Sequence, residues 1–274
     1  MDSGLRDKVV LVTGGSGGIG QAIVRSFVDE GAHVIIHYNS GKERASQLLD
    51  SIAKDRAAIV QANLQSDDQV VRLFDESEAA LSPIDVLIAN AGKWPEADTP
   101  IHEMTLQRWK ETMDVNATSI FLCVREFVKR SIARSLEDPA IVVTGSTAGR
   151  FGEAGHGDYA SAKSSFMNGL VQSLKNEITR VAARGRINAV CPGWTMTPMA
   201  RSLTKDTAAM KRALQTIPLR KFASSEDIAN SVLFLASNKL AGHITGQALF
   251  VDGGMEGRVI NSLDEIDLDR AIPK

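Results

Sequence analysis

Seven short apolar runs recur along the chain, and stretches with helical spacing separate them. KVVLVT at 8–13 is β-branched and apolar, the pattern of a strand buried on both faces. HVIIHY (33–38), AAIVQA (57–62), IDVLIANAG (84–92, strand then turn), AIVVTG (140–145), RINAV (186–190) and QALFVDGG (247–254) continue the series. Ile19, Ile23 and Phe27 recur at helical spacing up to Gly31, which ends the first helix. The spacing predicts further helices over 42–53 (Ala45, Leu48, Leu49 and Ile52 inward) and 67–77 (Val70, Val71, Phe74). It also predicts two long helices. One covers 105–133, with Trp109, Met113, Ile120, Val124 and Val128 on one face, and the other covers 159–183. Two more are expected around 197–214 and 225–237. Strand–helix alternation of this kind implies an α/β Rossmann fold: a doubly wound, seven-stranded parallel sheet with helices on both faces. A single dinucleotide-binding and catalytic domain is expected over 1–274. Its core is 6–254, a lid lies at 194–216, and a tail at 255–274 reads as a flexible end or an arm on a neighbouring subunit.

Composition narrows the partners. With 31 basic and 33 acidic residues the net charge is −2, which gives no electrostatic case for nucleic acid or an anionic membrane. The chain has two cysteines, Cys123 and Cys191, which fits a reducing, cytoplasmic setting. The histidines at 33, 37, 102, 156 and 243 show no paired metal-ligand spacing, so no metal site is expected. The uncharged run Val9–Val24 is too short to cross a bilayer and lacks the marks of a signal peptide.

The loop TGGSGGIG (13–20) carries two glycine patterns at once. Gly15, Gly17 and Gly20 spell G-x-G-x-x-G, and Gly14, Gly18 and Gly20 spell G-x-x-x-G-x-G. Either lets backbone approach a pyrophosphate at the start of a helix. An acid after the second strand would accept from a ribose 2′-hydroxyl and indicate NAD. Here the residues are His37, Tyr38, Asn39 and Ser40, with neither acid nor arginine. Asn39 and Ser40 can donate and Lys42 adds charge, so NADP is favoured, with NAD the alternative.

In GSTAGRFGEAGHGDYASAK (145–163), Tyr159 and Lys163 share a helix face, and Ser146 follows a strand's C-terminal end. In isolation such a pair reads as an ordinary helix contact. With the serine upstream and a nucleotide loop, the trio suits carbonyl reduction. Tyrosine is a poor proton shuttle at its usual pKa near ~10, and a lysine cation favours the phenolate. Lowering by about two or three units would bring Tyr159 near neutral pH, where general acid–base catalysis is efficient. Ser146 can stabilise a developing oxyanion.

These residues resemble the short-chain dehydrogenase/reductase family over about 6–254, and most nearly its 3-oxoacyl-carrier-protein reductases and related ketoreductases. Thr13, Gly14, Gly18 and Gly20 match that family's cofactor loop, which selects the second glycine pattern and brings in Ser16 and Ile19. Asn90-Ala91-Gly92 matches its fourth-strand turn, Asn116 its water-holding helix asparagine, and Ser146, Tyr159 and Lys163 its catalytic set. Pro192-Gly193, Thr195 and Thr197 match the segment that contacts the nicotinamide carboxamide. Asn63-Leu64 replaces the usual Asp-Val beside adenine, and Gly17 stands where many NADP-dependent relatives carry arginine. The resemblance implies that Lys163 also binds the nicotinamide ribose. It further implies pro-S hydride transfer, a small-molecule carbonyl or alcohol substrate, and a homotetramer or homodimer.

In that assembly the long helices would pair, and the last strand (244–254) would lie in an interface. The substrate walls would be 93–104, 150–157 and 194–216. Met196, Met199 and Met210 suggest an adaptable apolar lid. Trp194 would meet substrate or anchor the lid, while Glu153 and His156 read as exposed loop residues. Arg201, Lys205, Lys211 and Arg212 could form a basic patch for an acidic carrier protein. The reading that follows is an NADP(H)-dependent ketone/alcohol oxidoreductase. The alternatives are an NAD-dependent alcohol or sugar dehydrogenase and a non-catalytic dinucleotide-binding protein.

Overall fold

Strand β1 (Val9–Val12) shows how the apolar runs build the centre of the molecule. Val9 and Leu11 enter one buried cluster, while Val10 and Val12 enter another on the opposite face. Successive strand side chains point to opposite faces, so a strand covered on both sides must be apolar throughout. The computed structural model describes residues 2–52, 54–197, 206–259 and 261–273. Strands β2 (His33–Tyr38), β3 (Ala57–Gln61), β4 (Val86–Ala89), β5 (Ala140–Thr144), β6 (Arg186–Pro192) and β7 (Ala248–Val251) join β1 in one sheet of order β3-β2-β1-β4-β5-β6-β7. Every neighbouring pair is parallel. Chain order reverses direction between β1 and β4, and the crevice beyond their C-terminal ends is where such sheets bind ligands.

Helices α1 (Gly18–Asp29), α2 (Lys42–Asp50) and α10 (Ser225–Ala236) cover one face. Helices α3 (Asp67–Ala80), α5 (Ser119–Ala133) and α8 (Val171–Val181) cover the other. The two long helices expected from the spacing are each interrupted. α4 (Leu106–Met113) passes through a π-helical turn, Asp114–Thr118, into α5. α7 (Gly157–Ser164) likewise passes through Ser165–Leu170 into α8. In the first, side chains compete for the helix carbonyls: Asn116 Nδ2 donates to Thr112 O (3.1 Å) and Ser119 Oγ to Val115 O (2.6 Å). A short helix α6 (Ala148–Phe151), too brief to show a period, was not anticipated. α9 (Thr207–Leu214) is capped by Asp206, which accepts from Ala209 N (2.9 Å), and residues 198–205 of the helix expected around 197–214 lie outside the described residues.

The tail, over its described residues, is packed and not left as a flexible end. It folds back on the lid of its own chain. Ile266 and Ala271 are buried with Met210, Leu214, Ile217 and Phe222 in a third apolar cluster. Asn261 clamps the end of α9, donating from Nδ2 to Leu214 O (3.2 Å) and Ile217 O (3.0 Å). Phe222 N donates to Ala271 O (2.9 Å). Apolar tail positions at 266, 268, 271 and 272 fit no single period, so the sequence pattern hid them. An Ile266→Ala change removes about 2 kcal/mol from this small cluster, at the low end for buried aliphatic truncation. Amide exchange in 206–217 and 261–273 should then quicken by about 30-fold while the sheet stays protected. Exchange unchanged there would show that the cluster does not hold the lid.

Candidate active site

The glycine-rich loop leaves β1 and enters α1 with no side-chain cap and no acid in the first helical turn. Free N–H groups and the helix dipole therefore face the crevice, a setting that suits a pyrophosphate. Gly14 has φ +64°, and a Cβ there would sit 3.0 Å from Ala91 Cα. A Cβ at Gly20 would sit 2.2 Å from Gly14 O. The backbone is thus as tight as a close-approach cradle requires. Gly17 has ordinary extended geometry, φ −81° and ψ 171°.

His37 holds this loop from β2. Gly14 N donates to His37 Nδ1 (3.0 Å), and Nε2 lies 3.0 Å from Ala62 O. The first bond needs a bare Nδ1, so the proton belongs on Nε2. Burial pushes the His37 pKa down to about 4, which keeps the ring neutral. Asn39 and Ser40 are exposed beyond β2, while Tyr38 is buried. Around Gly41, Arg44 Nη2 and Ser16 Oγ lie 2.7 and 3.0 Å from the position a Cβ would take. An arginine therefore does reach the end of β2, contrary to the linear reading, because the turn at Gly41 brings the first turn of α2 back over the loop.

Thr13, Asn90 and Ala91 knit β1 to β4. Thr13 Oγ1 accepts from Asn90 N (2.9 Å) and Ala91 N (3.0 Å). Asn90 Nδ2 donates to Thr13 O (3.1 Å), and its Oδ1 accepts from Thr144 Oγ1 (3.2 Å). Asn63 Oδ1 accepts from Gln65 N (3.1 Å), and Leu64 beside it is buried. Ile19 lies at the start of α1 against the core under the sheet. Pro192 ends β6, Gly193 N donates to Val251 O (3.1 Å), and Thr195 Oγ1 donates to Gly193 O (3.0 Å). Thr197 closes the described part of this segment.

Three of the four expected catalytic residues meet beyond β5, and the fourth faces the same point. Lys163 is buried, and its Nζ donates to Thr144 O (2.9 Å). Nζ lies 5.6 Å from the Tyr159 ring centroid and 5.3 Å from that of Phe166. Burial pushes Lys163 down to about 8. Ser146 nearby favours the phenolate of Tyr159, but burial outweighs it and pushes the phenol up to about 12. The lowering towards neutrality expected from the sequence is therefore absent in this state, and the side chain stands as a neutral acid. Asn116 Oδ1 accepts from Lys93 N (2.9 Å), and its Nδ2 donates to Lys93 O (3.0 Å). Gly92 joins the groups: a Cβ there would lie 2.8 Å from Asn116 Oδ1 and 3.3 Å from Lys163 Nζ. Cys191 is also buried, and its thiol is raised to about 12 by that burial.

The expected walls are only partly as read. His156 is buried at 2% exposure, not an exposed loop residue. Trp94 stacks on it at 4.0 Å and meets the Tyr159 ring edge-on at 4.8 Å. Trp194 is 38% exposed and belongs to none of the apolar clusters among the described residues, while the middle of the expected lid, 198–205, lies outside them. Met210 is buried and Met196 packs beside it. Met199, Arg201 and Lys205 lie outside the described residues. Lys211 and Arg212 sit in the last turn of α9.

The sequence profile described as Enoyl-(Acyl carrier protein) reductase matches residues 14–256. The chain belongs to the short-chain dehydrogenase/reductase family. It is 33% identical to the 3-oxoacyl-(acyl-carrier-protein) reductase FabG of Staphylococcus epidermidis, over 91% of this chain and 99% of the relative. It is 34% identical to the corresponding reductase of Synechocystis, over 92% and 98%. Identity is 33% to the cis-4-hydroxycyclohexanecarboxylate dehydrogenase of Sinomonas cyclohexanicum, over 93% and 98%. As a short-chain dehydrogenase/reductase it is an oxidoreductase acting on CH–OH or C=O groups. Among the described residues no cluster of acids, histidines or cysteines could hold a metal ion, and no helix is long and apolar enough to cross a membrane. Five residues escaped the linear reading: His37, Arg44, Trp94, Arg108 and Asp158. Their only sequence signal is an unusual polar or aromatic residue beside a known motif.

Proposed function

We propose that this oxidoreductase interconverts a ketone and a secondary alcohol with NADP(H), using Tyr159 as general acid/base. The observation that carries the reading is the Tyr159 ring, edge-on to Trp94, with the Lys163 ammonium 5.6 Å from its centroid and Ser146 near enough to favour its phenolate. A bound nicotinamide dinucleotide would supply or take up the hydride. The neutral Tyr159 hydroxyl would give its proton to the developing alkoxide, and Ser146 would donate to the same oxygen. Lys163 would hold the ribose hydroxyls and favour the phenolate that remains. Asn116 would set the backbone of Lys93 beside the relay.

The glycine loop from Gly14 to Gly20, with Ser16 and Ile19, would cradle the pyrophosphate. Asn63, Leu64 and Asn90-Ala91-Gly92 would line the adenine side, and Pro192, Gly193, Thr195 and Thr197 the nicotinamide side. Tyr38, Asn39 and Ser40 put no carboxylate near the ribose, and Arg44 beside Ser16 supports a 2′-phosphate. One domain over 1–274 carries both tasks, in a cytoplasmic enzyme. A homotetramer or homodimer is supported by Phe121 and Ile132, exposed on α5, and by the half-exposed edge strand β7.

A panel of small ketones with each cofactor tests the reading. NADPH is expected to be preferred, and Arg44→Ala to weaken NADPH use by about 10- to 100-fold, the value of one or two charge-assisted hydrogen bonds, with NADH use unchanged. A wild-type preference for NADH would overturn the cofactor assignment. It would favour the NAD-dependent alcohol dehydrogenase reading.

A further inference from the structure

The residue before Tyr159 is a completely buried carboxylate, Asp158. Its Oδ1 accepts from Tyr159 N (2.9 Å), and its Oδ2 accepts from Thr112 Oγ1 (2.8 Å) and Arg108 Nε (3.0 Å). Burial alone would raise its pKa, but the bonds from Arg108, Thr112 and Tyr159 N–H lower it overall, so it stays ionised. It also lies in the first turn of α7, where a negative charge is favoured.

Arg108 directs the rest of its fork to two of the three expected substrate walls, 93–104 and 150–157. Nη1 donates to Ala97 O (2.7 Å) and to the Thr99 hydroxyl, and Nη2 donates to Gly155 O (3.2 Å). The walls also touch directly, since Thr99 N donates to Gly155 O (2.9 Å). Thr112 extends the network, because its carbonyl accepts from Asn116 Nδ2 (3.1 Å). One guanidinium therefore joins 93–104, 150–157 and the peptide that starts Tyr159. A lysine in its place could reach one or two of these partners, but not all in one plane.

We propose that Arg108 is a positioning residue. Acting through Asp158 and the two walls, it sets the Tyr159 hydroxyl, and the Trp94–His156 wall behind it, against the substrate oxygen. The proposal rests on the carbonyl-oxidoreductase reading above. A purely structural ion pair would predict something different: restoring charge balance would restore turnover. The geometry instead ties turnover to the bonds that only the guanidinium makes.

Wild type, R108K, R108Q and R108Q/D158N are compared for amide exchange of 93–104 and 150–157, for Tm, and for kcat and KM with a ketone and NADPH. R108Q leaves Asp158 buried and unpaired, so its Tm should fall, and the double variant should regain most of that loss. Both walls should exchange faster in R108Q and in the double variant. kcat should fall by about 100-fold in both, the scale of a ~1 Å misplacement, with cofactor KM within about twofold. R108K should lie between them and wild type. If R108Q does not fold, the double variant and R108K carry the comparison. A double variant with near-wild-type kcat, or walls that stay protected without Arg108, overturns the proposal. A wild type that reduces no carbonyl overturns the functional reading instead, and the exchange arm still decides whether the clamp exists.

Discussion

Tyr159→Phe should abolish nearly all carbonyl reduction, lowering kcat by about 10²- to 10⁴-fold, the usual contribution of a positioned general acid. The change is small in every other respect. The ring that meets Trp94 edge-on and lies beside Lys163 Nζ is kept. Only the hydroxyl is lost, which removes about 1 kcal/mol of stability. Dinucleotide affinity should therefore hold within a few-fold, and Tm should shift little. Single-turnover and steady-state rates with NADPH and a ketone, alongside binding of NADPH alone, separate these effects. A variant that kept full turnover would falsify the general-acid assignment. One that lost dinucleotide binding in parallel would show that the hydroxyl matters to the fold of the site and not to proton transfer alone.

The sheet was legible because buried parallel strands must be apolar on both faces. HVIIHY is strand β2 from its first residue to its last, and its neighbours deviate by no more than a few residues. The glycine loop, the Tyr159/Lys163 spacing and the serine after β5 were legible because each lies within one short segment. What escaped depends on distance in the chain. His37 looks like one polar residue in a strand, and its partners Gly14 and Ala62 are 23 and 25 residues away. Arg44 looks like a solvated helix residue until the turn at Gly41 swings it over Ser16. Arg108 and Asp158 are 50 residues apart, and nothing local to either predicts the pair. The first π turn escaped for another reason: the apolar spacing carries no sign of it, and the side-chain bonds of Asn116 and Ser119 accompany it.

The second large effect falls on the loop with two overlapping glycine patterns, where alanine substitutions should separate positions by geometry. At Gly20 a Cβ would lie 2.2 Å from Gly14 O and 2.9 Å from Gly15 Cα. Both are backbone atoms, so no side chain can swing aside. Either the loop or the start of α1 must move by about 1 Å, a displacement on the scale that costs a positioned site about 100-fold. Gly20→Ala should therefore weaken dinucleotide binding by at least that factor and lower stability by roughly 1–3 kcal/mol, the cost of overpacking. At Gly17 the same atom would approach nothing closer than Gly14 O at 3.3 Å, and φ is ordinary for any residue. Gly17→Ala should bind dinucleotide within about threefold of wild type, as expected for a substitution without strain. Calorimetric titration with NADPH and thermal melts of the two variants measure both quantities. Gly17 belongs to the first pattern alone and Gly20 to both. A severe loss at Gly17 would therefore restore the G-x-G-x-x-G reading and move the pyrophosphate cradle towards Gly15. Tolerance at Gly17 with failure at Gly20 leaves Gly14, with its positive φ against Ala91, as the glycine that turns the chain from β1 towards the helix.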